Sequence, residues 1–126
     1  LDVAHRAAWL STDALEGVCG SFDLLICNPP YIRSEDIAGL DAEVREFDPC
    51  AALDGGPDGL RMYRRMAPHI RALVPSGWAL LEVGYDQADA VADVLASGMG
   101  GLDLAAVSFH GDVSGKRRCV ALKTRG

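Results

Sequence analysis

The chain has 126 residues, of which 49% are hydrophobic and 24% are charged, an ordinary balance for one globular domain with one modest core. No apolar run approaches the roughly 20 residues needed to cross a membrane, and the formal net charge of -6 is opposite to the basic character usual for a duplex-DNA binder. Composition therefore favours a protein or small-molecule partner, with no membrane and no direct nucleic acid contact expected.

The N-terminal segment is predicted to contain a strand and a short helical turn. Residues 2–10 have the pattern of a strand that loses definition at Trp9. Ser11 or Thr12 would then cap a short helical turn that runs through Glu16.

The next predicted strand, residues 22–27, is a nearly continuous apolar run with the sequence FDLLIC. Runs of this kind are typical of a strand in a parallel sheet that is buried on both faces. The strand ends at Asn28, because Pro29 and Pro30 cannot continue a strand ladder.

Residues 32–54 are predicted to form a long functional loop. They show no sustained hydrophobic period, and long segments without regular elements usually mark a lid or a binding loop. Within this segment, Ser34 can cap a short turn over residues 35–39, and residues 41–47 can be either helical or extended.

A helix and a second buried strand follow. The glycine-rich break at residues 55–59 precedes apolar residues that recur at helical spacing as far as residues 73–74. Pro68 predicts a kink or a short break inside that helix. Residues 75–77 stop the helix, and residues 78–83 (WALLEV) are the second predicted strand.

The C-terminal third is predicted to contain one helix and two strands. Asp86 or Gln87 opens the helix, and residues 98–101 end it. Residues 102–109 and 118–123 are the strands, and because their connection is too short for a helical crossover, the pair should be antiparallel. This order of elements predicts an α/β layered sheet.

The cysteines and histidines do not point to a metal or disulfide framework. No C-x-x-C pair is present, and the histidines do not fall at metal-ligand spacing. Cys27 and Cys119 lie inside apolar runs, where a free thiol behaves as a small hydrophobic group. We therefore expect no metal, and reduced cysteines in a cytoplasmic protein. The four cysteines are Cys19, Cys27, Cys50 and Cys119.

The chemistry is expected at Asn28-Pro29-Pro30-Tyr31, since ligands of open α/β sheets bind at the carboxyl ends of the strands. The prolines have no N–H groups, so the loop presents carbonyl oxygens, and Asn28 adds a side-chain oxygen. Two acceptors close together match the two N–H groups of a planar –NH2, and Tyr31 offers an aromatic face to a flat group. Such a loop suits methyl transfer to a weakly nucleophilic amide or amino nitrogen, through positioning and preorganised electrostatics.

Two other interpretations of this loop stay open. It can be a rigid Pro-Pro turn with a purely structural role. It also suits a flipped adenine, which would make the chain part of a DNA adenine-N6 methyltransferase. That enzyme would need a basic groove, whereas the basic residues are spread out apart from a cluster at residues 116–118.

Several ordered blocks resemble the HemK-type release-factor glutamine methyltransferases, which are class I S-adenosylmethionine-dependent enzymes. Residues 22–32 (FDLLICNPPYI) are similar to the family's motif IV. Residues 47–60 are similar to its E-P-x-x-A-L-x-G-G-x-D-G-L stretch, and residues 81–87 (LEVGYDQ) to its L-E-I-G-x-x-Q strand end. The family's D-x-x-G-x-x-R pattern is matched by Asp112, Gly115 and Arg118, so the resemblance covers most of the chain.

The resemblance implies a Rossmann-like class I methyltransferase sheet, represented here by its C-terminal half. It implies methyl transfer from S-adenosylmethionine to the glutamine amide in the Gly-Gly-Gln loop of peptide-chain release factors, which would be the protein partner. Asn28 and the Pro29 carbonyl would hold the –NH2 group in a loop stiffened by Pro30, and Tyr31 would pack on the amide. Trp9 and Asn28 would contact the cofactor.

The chain also departs from the family pattern. Ala7 and Ala8 stand where Gly-Asp is usual before the tryptophan, Asp48 stands for a usual Glu, and Cys50 for a usual Arg. No Gly-x-Gly follows a strand and opens a helix, so the main cofactor-binding loop and its N-terminal strands are missing. Because the chain begins at Leu1 rather than Met, we expect a fragment or a processed piece of a longer protein.

The absence of those strands is expected to leave residues 22–27 as an unpaired sheet edge. The isolated chain should then be destabilised or should associate with another chain, including a second copy, through that edge. Tight cofactor binding is not expected, and an inactive fragment that serves only as a binding module stays an alternative to the enzyme.

Five other positions carry predictions. Glu82, at a strand end, is expected to accept a hydrogen bond from a loop N–H rather than to act in catalysis. Trp9 can be either a core residue or a cofactor contact. Asp112 and Arg118 are expected to form an ion pair or to clamp a turn, and Tyr63 is expected in the core.

Overall fold

The structure is a computed structural model that describes residues 2–40, 50–101 and 106–125. The described elements are, in chain order, the 3-10 helix Ala4–Arg6, β1 (Leu24–Cys27), the 3-10 helix Ser34–Gly39, α1 (Cys50–Leu53), α2 (Arg61–Leu73), β2 (Trp78–Glu82), α3 (Ala88–Gly98), β3 (Val107–Gly111) and β4 (Arg117–Lys123). Three features of the sequence lie outside the described residues. They are the segment 41–47, which was predicted to be either helical or extended, Asp48, which stands for the family's usual Glu, and the first part of the strand predicted at 102–109. The short turn predicted over residues 35–39 is confirmed by the second 3-10 helix, but Ser34 is the first residue of that helix and not its cap.

The four described strands form one sheet in the order β1-β2-β4-β3. β1 and β2 are parallel, and their register places Cys27 opposite Leu81. A parallel pair needs a crossover connection, which here contains α2. β4 is antiparallel to both β2 and β3. The predicted α/β sheet with an antiparallel C-terminal pair is therefore confirmed.

The hydrophobic core joins the two longer helices to β2 and β4. Apolar residues recur at helical spacing in α2 and α3, so each helix buries one face, and the two helices also pack against each other. The predicted core position of Tyr63 is confirmed. The buried side chains include Tyr63, Met66, Ala67, Ile70 and Leu73 of α2, Ala88, Val91, Ala92 and Leu95 of α3, and Leu81, Val120 and Leu122 of the strands.

α2 continues through Pro68, so the short break that was one of the two alternatives predicted there is wrong, and the kink stays a prediction. Proline has no N–H, and the carbonyl of Arg64 therefore lacks its usual intrahelical donor. Both residues are exposed, where water can satisfy that carbonyl. The helix ends at Leu73, just before the predicted stop at residues 75–77.

The strand predicted at residues 2–10 is wrong. The regular part of this segment is the short 3-10 helix Ala4–Arg6, and no described strand pairs with it. A strand needs a neighbour to satisfy its backbone groups, and an apolar pattern alone does not supply one. The turn that follows is present, but Thr12 Oγ1 donates to the Glu16 carbonyl and does not cap a helix start.

β1 is an edge strand, as predicted, but its predicted burial on both faces is wrong. Leu24 is 49% exposed and Ile26 is 71% exposed, whereas Leu25 and Cys27 are half-buried. The side chains alternate between a face that packs on the core and a face that the described residues leave largely open.

Candidate active site

The NPPY loop (residues 28–31) leaves β1 beside the end of β2. Because Cys27 lies opposite Leu81 in a parallel pair, the loop begins next to Glu82, at the carboxyl edge of the two strands. It lines a cavity of about 130 Å³. The lining residues are Asn28, Pro29, Pro30, Tyr31, Ile32, Ala52 and Leu53.

Asn28 presents an amide group that the described part of the protein does not use. The residue is exposed, and its side chain makes no hydrogen bond with any residue that the structure describes. The two following residues, Pro29 and Pro30, have no N–H groups that could compete for a ligand's acceptor atoms. The amide oxygen of Asn28 is therefore free to accept a hydrogen bond from a molecule in the cavity.

Two charged side chains contact the phenol of Tyr31. Tyr31 Oη donates a hydrogen bond to Glu82 Oε1 over 2.9 Å, and Arg118 Nη2 donates to Tyr31 Oη over 3.5 Å. Burial, together with the hydrogen bond to Glu82 and its negative charge, raises the pKa of Tyr31, and Arg118 opposes that rise. The phenol therefore stays protonated at neutral pH and continues to donate to Glu82.

A buried amide holds the backbone of Tyr31. Gln87 Nε2 donates to the Tyr31 carbonyl over 3.0 Å, and Gln87 Oε1 accepts from the Gly84 N–H over 2.9 Å. Gln87 is only 3% exposed, and both ends of its amide are paired. This residue directly precedes α3, so the loop is tied to the start of that helix.

The glycine-rich segment backs the loop. Ile32 N donates to the Leu53 carbonyl over 3.0 Å, and Gly55 N donates to the Ile32 carbonyl over 2.7 Å. A Cβ on Gly55 would lie 2.8 Å from Tyr31 Cα, which is closer than real Cβ atoms approach. Glycine is therefore required for the close approach of these two backbones.

Blocks that are far apart in the sequence thus meet at Tyr31. The backbone of the glycine-rich segment packs against the backbone of Tyr31. Glu82 accepts a hydrogen bond from its phenol, and Gln87 donates one to its carbonyl. Arg118, on β4, donates a hydrogen bond to the phenol. The sequence predicted these blocks but not their convergence on one tyrosine. No spacing signal reports it, because 51, 56 and 87 positions separate Tyr31 from Glu82, Gln87 and Arg118.

The strand-end and turn residues differ partly from their predictions. Glu82 accepts the Tyr31 phenol rather than a loop N–H, and Arg118 makes no ion pair with Asp112 among the described residues. Asp112 does clamp its turn, because its Oδ1 accepts from the backbone N–H groups of Ser114 and Lys116 over 2.8 and 3.1 Å. The predicted turn clamp is confirmed, and the predicted ion pair is wrong.

Trp9 is 93% exposed, so the alternative that made it a core residue is wrong. Nearly the whole indole surface is left available to a ligand or to another segment of protein. The contact between Trp9 and the cofactor stays a prediction.

The basic residues 116–118 do not form one open cationic patch. Arg117 pairs with Asp89 at 2.7 Å, and Arg118 turns to the phenol of Tyr31. The side chains of Arg117 and Arg118 are therefore engaged by neighbouring groups of the same chain.

The described residues contain no group of three or more His, Cys, Asp or Glu side chains that could hold a metal ion. The four cysteines are free thiols, and burial raises the pKa of Cys27 and Cys119. Within the described ranges, no helix is both long enough and apolar enough to pass through a membrane.

The sequence is similar to curated release factor glutamine methyltransferases. It is 43% identical over 126 residues to the one from Rhodospirillum rubrum, and this alignment covers 99% of the present chain and 38% of the relative. Identity to the one from Caulobacter vibrioides is 53% over 93 residues, covering 72% of this chain and 32% of the relative. Identity to the one from Cereibacter sphaeroides is 39% over 124 residues, covering 98% of this chain and 43% of the relative. No protein-family model matches the chain.

The fold is similar to the crystal structure of a protein-(glutamine-N5) methyltransferase (release factor-specific) from Alicyclobacillus acidocaldarius, with a TM-score of 0.50 and 27% sequence identity. That similarity covers 84% of this chain and 50% of the solved chain. The chain thus spans less than half the length of the curated relatives named above. By its sequence and its fold, the chain is homologous to one part of the release factor glutamine methyltransferases.

Proposed function

We propose that this chain carries the acceptor-binding part of an enzyme that transfers a methyl group from S-adenosylmethionine to the side-chain amide nitrogen of a glutamine. The proposed acceptor is the glutamine in the Gly-Gly-Gln loop of peptide-chain release factors, and the names of the relatives support this choice. The observation that carries the proposal is the exposed Asn28 amide, which pairs with none of the described residues and lies beside a cavity on a loop held at Tyr31. A release-factor substrate would place the reaction in the cytoplasm.

The loop supplies acceptors that fit a planar –NH2 group. The Asn28 side-chain oxygen would take one N–H and the Pro29 carbonyl the other, which orients the nitrogen and stabilises the positive charge that develops on it. Orientation matters because the lone pair of an amide nitrogen is delocalised and weakly nucleophilic. Pro30 stiffens the loop, and Tyr31 would pack on the flat amide.

S-adenosylmethionine would supply an electrophilic sulfonium methyl group. We assign two residues of this chain to its site: Trp9, whose ring is uncovered, and Asn28, which lines the cavity. The sequence has no Gly-x-Gly that follows a strand and opens a helix. We therefore propose that most of the donor site is formed by those parts of the longer relatives that this chain does not match.

A methyl-transfer assay tests the proposal. In a chimera, residues 1–126 replace the matching segment of the Rhodospirillum rubrum relative, and mass spectrometry follows methylation of a protein with a Gly-Gly-Gln loop. We expect methylated glutamine from the chimera and a loss of about 100-fold in kcat/KM for Asn28→Ala, the usual effect of removing one preorganised contact to developing charge. Ser76→Ala is the control, since Ser76 is exposed in the turn before β2 and should leave the rate unchanged.

Three results would contradict the proposal. Methylated adenine in DNA without methylated glutamine would support the DNA enzyme instead. Full activity of Asn28→Ala would remove the loop from the acceptor site. Micromolar binding of S-adenosylmethionine by the 126-residue chain alone, measured by calorimetric titration, would contradict a donor site formed mostly by other segments.

A further inference from the structure

We infer that Glu82 is a positioning residue for methyl transfer, which acts on the reacting glutamine only through Tyr31. The inference rests on the proposed function. The Glu82 carboxylate accepts the Tyr31 phenol over 2.9 Å, and Glu82 is absent from the lining of the cavity beside Asn28. The carboxylate therefore contacts a residue of the acceptor site rather than the site itself.

Glu82 is itself anchored to the core. It is the last residue of β2, and its backbone carbonyl accepts a hydrogen bond from the Tyr63 phenol over 2.6 Å. Tyr63 lies on α2 and is fully buried, so this bond ties the strand end to the helix. A carboxylate on a fixed strand end can hold the phenol of Tyr31 in one orientation, as the supporting layer of a functional site must.

Separate contacts hold the side chain and the backbone of Tyr31. Gln87 holds its carbonyl, and the bond from Gly55 N–H to the Ile32 carbonyl holds the next residue. Loss of the Glu82 carboxylate leaves these backbone contacts intact, so the loop keeps its place. The phenol then keeps only its longer contact, 3.5 Å from Arg118, and the ring can sample other rotamers. A ring that moves no longer aligns the acceptor amide, and errors of position reduce turnover more than they weaken binding.

Three substitutions in the active chimera separate positioning from direct catalysis. Glu82→Gln keeps an oxygen acceptor for the phenol but removes the charge, Glu82→Ala removes both, and Tyr31→Phe removes the donor but keeps the ring. We expect kcat to fall by about 10- to 100-fold in Glu82→Ala and in Tyr31→Phe, with KM for the protein acceptor changed less than about threefold. Glu82→Gln should retain most of the rate. The double variant Glu82→Ala/Tyr31→Phe should be no slower than Tyr31→Phe alone, because Tyr31→Phe already removes the contact with Glu82.

The opposite patterns overturn the inference. Equal losses in Glu82→Gln and Glu82→Ala would mean that the charge or basicity of the carboxylate acts directly. Losses that add in the double variant would mean that the two residues act separately. Asp93→Asn likewise changes a carboxylate into an amide, at an exposed position of α3 away from the NPPY loop, and it should keep the full rate.

A titration of Tyr31 tests the contact without any activity. Glu82 raises the pKa of Tyr31 and Arg118 opposes it, so ¹³C NMR of labelled tyrosine in the 126-residue chain should show Tyr31 ionising at lower pH in Glu82→Ala than in the parent. Tyr31→Phe identifies the signal. If the titration shifts but the chimera makes no methylated glutamine, the contact is real and the proposed function fails. An unshifted Tyr31 overturns the positioning role whatever the activity.

Discussion

At the scale of single residues, Gly59 shows how the absence of a side chain shapes the Tyr31 site. Its φ of +77° lies in the left-handed region, and an added Cβ would lie 2.5 Å from the Tyr31 carbonyl oxygen and against the Gln87 amide. Those two groups form the hydrogen bond that holds the loop. Both the backbone conformation and this bond therefore require glycine.

We predict that Gly59→Ala lowers the free energy of unfolding by about 2–4 kcal/mol, because backbone strain adds to an overpacked contact. Gly17→Ala is the matched control, since Gly17 also has a φ of +77° but nothing lies within 4 Å of the added Cβ. The control should lose about 1–2 kcal/mol, from backbone strain alone. Urea unfolding followed by circular dichroism gives both values, and equal losses would argue against a tight fit between Gly59 and Tyr31.

Residue roles were predictable where they follow from the residue type. The amide group of Asn28 and the missing backbone N–H groups of Pro29 and Pro30 are properties of the residue types themselves. The partner of Glu82 was not predictable in this way. A carboxylate at a strand end can meet any donor that the fold brings to it, and the fold brings Tyr31 from 51 positions away.

At the scale of elements, α2 contains a proline that leaves one carbonyl without its intrahelical donor. We predict that Pro68→Ala raises the free energy of unfolding by about 1–3 kcal/mol, because alanine restores the N–H and suits a helix interior. Thermal unfolding monitored by circular dichroism measures the change.

Arg71→Ala is the control for this substitution. Arg71 is exposed on the same helix, and alanine there adds no backbone donor. Its effect should stay within about 0.5 kcal/mol. If Pro68→Ala were neutral or destabilising, packing of the proline ring would have to offset the missing hydrogen bond.

Elements were predictable where their signals are local. Apolar residues at helical spacing predict α2 and α3. The short connection between β3 and β4 predicts that this pair is antiparallel. The strand predicted at residues 2–10 is absent and the predicted burial of β1 is wrong, because a strand is defined by its neighbours. The sequence of β1 suits burial on both faces, yet its burial depends on what lies beside it.

At the scale of the whole molecule, β1 leaves the described sheet with an apolar edge. We predict that the 126-residue chain self-associates through this edge, and that Ile26→Lys lowers the average mass in analytical ultracentrifugation, because a charge on an edge strand opposes pairing. Val113→Lys adds the same charge to a fully exposed apolar position between β3 and β4 and should leave the mass unchanged. A parent chain that stays monomeric at every concentration would contradict the prediction.

β4 comes last among the described strands, yet it lies inside the sheet, between β2 and β3. It also carries Arg118, which meets Tyr31 across 87 positions. During synthesis on the ribosome, the NPPY loop leaves the exit tunnel well before β4, which carries Arg118. Contacts between segments so far apart in the sequence form slowly. A nascent chain that stops short of β4 would therefore display the loop without Arg118 and without the interior strand.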